Sequence, residues 1–427
     1  MPRLTRTLLW AALLLPTAHC PLPTATADWP RFRGPNGSGI APAADTPAKF
    51  SEADMDWKVP LPGVGHSSPV VVAGKVFVTC AEPATAQRFL ICVNLADGTE
   101  LWRRAHASQP FKQHRDNSFA SASPTADDGR VYYSFVTPDS YKVFCADHAG
   151  KELWTYDMGP WKSEHGAGAS PIVFEDLLIV PNDQDGATAS LVALDKATGS
   201  ERWRVARKSG RAAASTPCLY TPADGGPVQL ILTCSATGLT SVDPRTGKPN
   251  WGHHPAPPSY RSVGSPIATD QWIVGSWGEG ASGPNRVVIA VKPPHSPGQE
   301  AQVVLKLTKT PNYPYVPSPI VTGDRMFIWS DVGAVTCLKL PGGEQVWQER
   351  VKGAGARADF YASPILAGDK LYNITKDGEV ICLAAGDSFQ DLGHSPLNEK
   401  CFATPAVAGD RLIIRTASHL LSVGGKK

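Results

Sequence analysis

Apolar residues in this chain come in short runs, with turn residues between them. Val76-Phe77-Val78, Leu90-Ile91-Cys92-Val93, Leu191-Val192-Ala193-Leu194 and Leu412-Ile413-Ile414 are strand-sized. The runs repeat. A small residue and Ser or Thr before Pro occurs at Ser67-Ser68-Pro69, Ala122-Ser123-Pro124, Ala169-Ser170-Pro171 and Ser215-Thr216-Pro217. It continues at Gly264-Ser265-Pro266, Pro317-Ser318-Pro319, Ala362-Ser363-Pro364 and Ala403-Thr404-Pro405. The spacings between these prolines are 55, 47, 46, 49, 53, 45 and 41 residues. A period in the forties is that of four-stranded propeller blades.

A second mark falls at the fourth strand. Gly98, Gly150, Gly199, Gly247 and Gly343 each precede a tryptophan by four residues: Trp102, Trp154, Trp203, Trp251 and Trp347. The glycine suits a tight hairpin that needs positive φ, and the tryptophan has the area to seal one blade against the next. Blades five and seven lack the mark, and their fourth strands are expected at Gln302 to Leu307 and Phe389 to Leu392. After Pro405 only three strands fit, whereas Met55-Asp56-Trp57-Lys58-Val59 offers a fourth. The sequence therefore predicts an all-β, eight-bladed propeller over residues 54–427. Its blades are antiparallel, and the N-terminal strand carrying Trp57 closes the ring. Residues 28–53 form a leader laid across it.

Residues 1–27 have the anatomy of an export signal. Arg3 and Arg6 precede the apolar run Leu8 to Leu15, and Ala25-Thr26-Ala27 is a cleavage site. The apolar run is too short to span a bilayer. Cys20 raises a lipoprotein alternative, against which His19 stands where a small residue is expected. The chain holds 41 Lys+Arg and 39 Asp+Glu, and the signal accounts for two of the arginines, so the mature chain is neutral. Neutrality argues against nucleic acid or an anionic membrane as the main partner. A monomeric ring in the periplasm or secreted, binding an envelope or secreted protein or a carbohydrate, is the expectation.

These repeats, with Gly-Asp-Arg turns and Asp-x-x-Thr-Gly-x-x-x-Trp hairpins, resemble the pyrroloquinoline-quinone-like (PQQ-like) propeller repeat. The leader Asp28-Trp29-Pro30-Arg31-Phe32-Arg33-Gly34-Pro35-Asn36-Gly37 is similar to the start of secreted bacterial members of planctomycete type. The resemblance covers nearly all of the mature chain and is specific for fold rather than function. It implies two branches. Quinone-dependent dehydrogenases hold PQQ against a tryptophan floor and a vicinal disulfide, with calcium beside it. BamB-like propellers act as scaffolds without a cofactor. The chain has no Cys-Cys dipeptide, which argues against PQQ. A non-catalytic scaffold is therefore favoured over a quinone-dependent or carbohydrate-active enzyme.

No C-x-x-C or H-E-x-x-H motif occurs. Cys92, Cys145, Cys337 and Cys382 share one third-strand position with Ala193, Ser241, Ala290 and Ser422, as a small buried residue would. Cys218 and Cys234 fall on neighbouring strands of blade four and are the pair placed for a disulfide.

Segments just before each blade proline open on one face, around the central channel. Their chemistry includes His66, Arg211, Arg261, Tyr313, Arg357, Asp359 and Glu399 as a rim. His114, Asp116, Glu164, His165, Asp183 and Asp185 come from adjacent blades and form the candidate set for a divalent cation or a sugar-like polyol. The plain alternative for any one of them is a solvated polar rim. Asp183-x-Asp185-Gly186 is far short of a full calcium loop.

Overall fold

Eight four-stranded antiparallel sheets follow one another around a central channel in the computed structural model. The structure describes residues 28–425 apart from 164, 187, 258, 281–282, 295–297 and 354–357, so the expected export signal lies outside it. Blade one shows the plan: Val70–Val72 innermost, then Lys75–Ala81, Arg88–Asn94 and Glu100–His106 outermost. Blade eight takes its first three strands from Ala406–Ala408, Arg411–Arg415 and His419–Val423, and its fourth from Met55–Pro60. Trp57 pairs with Ser422, so the N-terminal strand closes the ring as its sequence position predicts. The fourth strand of blade five is Gln302–Thr308. That of blade seven is Asp391–Pro396, later than the expected Phe389 to Leu392, with Gly393 at the place of the missing tryptophan.

Each blade is cut by one cross-layer of side chains. In blade one it reads Val70, Phe77, Cys92, Trp102, and in blade six Ile320, Phe327, Cys337, Trp347. In the blades with a docking tryptophan the third-strand position lies between a bulky neighbour and the indole, where Cys, Ala or Ser stands. That packing explains the cysteines. The eight described ones are all buried and unpaired. Cys218 sits opposite Ile231, three residues short of Cys234, so the two sulfurs expected to pair are about 10 Å out of register at strand spacing.

The docking tryptophans join neighbouring blades. Trp57, Trp102, Trp154 and Trp347 each donate an indole N–H to a backbone carbonyl of the following blade, at Leu95, His148, Lys196 and Gly386. Trp251 faces a blade without the glycine hairpin and bonds Gln229 Oε1 at 2.7 Å instead. The Gln229 amide then donates to Pro294 O of blade five at 3.3 Å.

The Ser/Thr-Pro motif builds a second set of seams. The backbone N–H of Ser68 donates to Ser123 Oγ, Ser123 to Ser170, Ser170 to Thr216, and Thr216 to Ser265. Ser265 then donates to Ser318, Ser318 to Ser363, Ser363 to Thr404, and Thr404 back to Ser68. Eight hydrogen bonds of 2.8–3.1 Å thus close a ring around the channel, one at each blade seam. Ser123→Ala would leave the buried Ser68 N–H without its acceptor, at a cost of about 1–3 kcal/mol. Ser123→Thr keeps the hydroxyl, as Thr216 and Thr404 do naturally. Urea unfolding should find the alanine variant weakened and the threonine variant close to the parent.

The leader fills the end of the channel beyond this ring. Trp29 bridges Val71 of blade one, and Asn36 exchanges side-chain hydrogen bonds with Leu219 of blade four. Ile40–Ala41 adds a parallel strand to Ile365–Ala367 of blade seven. Arg31 reaches Pro217 O, and Arg33 donates to Pro319 O at 2.8 Å and Pro364 O at 3.3 Å. Both guanidiniums are buried, and burial holds their pKa values down to about 10 and about 9.

Candidate functional site

Because the leader occupies one end of the channel, the other end is a blind cavity of about 580 Å³. Phe32, carried between the two buried arginines, forms part of its lining. Ser68, Ser123, Ser318, Ser363 and Thr404 of the hydroxyl ring border it. Segments preceding the inner strands supply the walls, because every inner strand starts from this face.

One wall is aromatic. His66 stacks on Phe402 with centroids 4.4 Å apart, and Tyr361 lies 5.8 Å from the same ring. Burial, with Arg415 adding to it, pushes the His66 pKa down to about 3. The folded state thus binds fewer protons at His66 than the unfolded chain does. Stability from this group is fully present above about pH 6.5 and is lost as pH falls from there toward about 3. The expected slope is at most about 1.4 kcal/mol per pH unit. Denaturation midpoints of His66→Gln should depend less on pH in this window than those of the parent.

Of the six candidate metal ligands, the structure places His114, Asp116 and His165 at the cavity. The two imidazoles approach to 4.7 Å between centroids. The Asp116 carboxylate accepts the Tyr361 hydroxyl at 3.1 Å and faces Lys376 Nζ at 3.6 Å. Burial raises its pKa, yet Lys376 and Tyr361 outweigh that and leave it below the usual value. Asp183 is elsewhere: it is buried and forms a two-point pair with Arg207, at 2.7 and 3.1 Å. Asp185 accepts the Ala212 N–H at 2.7 Å. Those two acids brace the approach to blade four. Glu164 lies outside the described residues, and among these no group of three or more His, Cys, Asp or Glu is arranged to hold a metal ion.

The rim residues divide similarly. His66, Arg211 and Arg261 line the cavity, joined by Tyr315. Tyr313 packs against the apolar cluster between blades five and six. The Asp359 carbonyl accepts the Lys376 N–H. Glu399 binds Ser418, Thr416 and His419 and so braces a blade-eight turn. Arg357 lies outside the described residues. Sequence reasoning missed Phe32 and Phe402. Phe402 had a usable signal, since it stands just upstream of a blade proline, whereas Phe32 depends on the path of the leader.

Asp331 sets Tyr315 in place by accepting the Tyr315 N–H at 2.6 Å and the Val316 N–H at 3.0 Å. It is buried beside Arg286, and burial pushes its pKa up to about 6 despite that neighbour. Arg286 lies 5.2 Å from the Tyr315 ring centroid.

The family described as outer membrane protein assembly factor BamB matches residues 89–271 and 313–424. The chain belongs to this family. This BamB-family propeller resembles BamB from Moraxella catarrhalis, at 14% identity and a TM-score of 0.60, covering 87% of this chain and 97% of that one. It is also similar to a europium-containing methanol dehydrogenase, at 11% identity and a TM-score of 0.65, covering 93% and 98%. The quinohemoprotein alcohol dehydrogenase of Comamonas testosteroni follows at 13% identity and 0.64, covering 95% and 81%. At such identities the likeness shows a shared fold. No sequence among the curated proteins matches this chain.

The cavity does not fit the quinone arrangement that the PQQ-like resemblance implies. Among the described residues no tryptophan lines it, and Phe32 stands at its closed end. No described cysteine lines it either. Among the described residues its lining acids are Asp116, already engaged by Tyr361 and Lys376, and Glu279. Among the described residues no helix is long and apolar enough to cross a membrane.

Proposed function

We propose that this BamB-family chain is an exported, non-catalytic binding propeller of the cell envelope. Its open channel face receives the ligand or partner. The observation that carries this reading is the leader. It closes one end of the channel with Trp29, Arg31 and Arg33 and leaves a blind cavity at the other. Residues at the cavity meet in recognition chemistry, with an aromatic wall, imidazoles and guanidiniums, rather than around a bound quinone. By analogy with the assembly factor that names its family, the partner is an envelope protein.

Fractionation of producing cells with N-terminal sequencing should find the protein outside the cytoplasm, beginning at Asp28. Dye-linked alcohol oxidation by the purified protein with added PQQ and calcium should stay at background. Cytoplasmic protein with an intact N-terminus would overturn the export reading. Lipidated Cys20 would move the site of anchoring to the membrane surface. Quinone-dependent dye reduction would overturn the non-catalytic reading.

A further inference from the structure

The hydroxyl ring holds donors that the fold leaves unspent. Each Ser or Thr oxygen in it accepts one backbone N–H, and a hydroxyl also carries one hydrogen to donate. Among the described residues, no protein acceptor takes any of those eight O–H groups. Ser68, Ser123, Ser318, Ser363 and Thr404 are nine-tenths buried or more and border the cavity. A buried donor without an acceptor is costly, so a ring of them calls for an occupant rich in acceptors.

Charge narrows the choice. Behind Phe32, the guanidiniums of Arg31 and Arg33 are fully buried, with backbone carbonyls and no carboxylate as their described partners. Their field is felt at the closed end of the cavity, where water cannot screen it well. Arg211 and Arg261 come from blades four and five. Facing them across an eight-membered ring are blades eight and one, which supply Phe402 and His66. The described lining carries Arg115, Arg211 and Arg261 against Asp116 and Glu279, so with Arg31 and Arg33 behind it positive charge is in excess, and the stacked rings of His66 and Phe402 lie across from Arg211 and Arg261. Its volume suits a small molecule.

We propose that this cavity binds a small molecule bearing an oxyanion: a carboxylate, phosphate or sulfate. Its charged group meets the ring hydroxyls with Arg211 and Arg261, and its body lies against His66, Tyr361 and Phe402. The inference rests on the reading of this face as a binding site and adds the chemical class of what binds.

Calorimetry on the purified protein in chloride-free buffer tests it, with inorganic phosphate, sulfate and galacturonate as probes and neutral galactose as the control. At least one oxyanion should bind ten times or more tighter than galactose. Which one does so identifies the charged group. Arg211→Gln, at a half-buried position, should weaken that binding at least tenfold, and Arg261→Gln, at a buried one, should do so too, with circular dichroism melts checking that each variant keeps the parent fold. Three results would each overturn the proposal: no oxyanion binding, galactose binding as tightly as every oxyanion probe, or both arginine variants binding like the parent. Export and dye-reduction measurements are unaffected by any of these, so this inference and the functional reading fail separately.

Discussion

A chain lacking residues 28–60 is expected to lose cooperative folding. The deletion takes away the fourth strand of blade eight, with its five paired residues against His419–Val423. It also removes Trp29, Phe50, Met55 and Trp57 from the largest apolar cluster, which joins blades seven, eight and one. An open sheet edge and an unfilled core would appear at the same seam, and Arg31 and Arg33 would leave the channel end they close. The single change Trp57→Ala isolates the seam. Loss of a buried tryptophan costs about 3–5 kcal/mol. Here it also removes the 3.0 Å bond to Leu95 O. Circular dichroism melts and size-exclusion profiles report both. A truncated chain that melts with the parent would refute closure as the source of stability.

Gly199→Ala is the second large effect expected. Gly199 has φ +75°, and a Cβ there would lie 2.6 Å from an indole carbon of Trp154 in the preceding blade. A non-glycine residue in the left-handed region costs about 1–2 kcal/mol. Forcing the methyl into the tryptophan face adds about 1–3 kcal/mol of overpacking. Gly323→Ala separates the two terms, because Gly323 has φ +56° and open space where the Cβ would go. Chemical denaturation should therefore find Gly199→Ala destabilised well beyond Gly323→Ala. Equal losses would mean that the backbone angle alone, and not the inter-blade contact, requires glycine there.

The Gly199 contact shows how far the sequence could be followed. The spacing from Gly199 to Trp203 marks a hairpin because both residues belong to one blade. The indole that fills the space over Gly199 belongs to Trp154, 45 residues earlier, and that pairing exists only after blades pack. The candidate site divides along the same line. His66, Arg211 and Arg261 were legible because a repeat fixes which residues precede each inner strand. Asp183 was not, because an acid in the loop between the second and third strands of blade three reads as a ligand on the channel face until Arg207 takes it at 2.7 Å.

Sequence by itself determined the blade count, the strand order and the closing role of the strand from Met55 to Val59. These follow from local periodicity and turn chemistry repeated eight times, and repetition turns weak local signals into a firm one. It also determined that Ser or Thr must stand before each blade proline, without revealing why. Tertiary structure alone decided that those hydroxyls join into one ring and that the leader enters the channel to set Phe32 at the end of the cavity. It also kept His114, Asp116 and His165 at the cavity while giving Asp183 and Asp185 other partners. The reason is physical: a strand is specified by neighbours a few residues away. A hydrogen bond between blades, or a side chain delivered through the channel, depends on groups tens to hundreds of residues apart. Their meeting is fixed only when the ring closes.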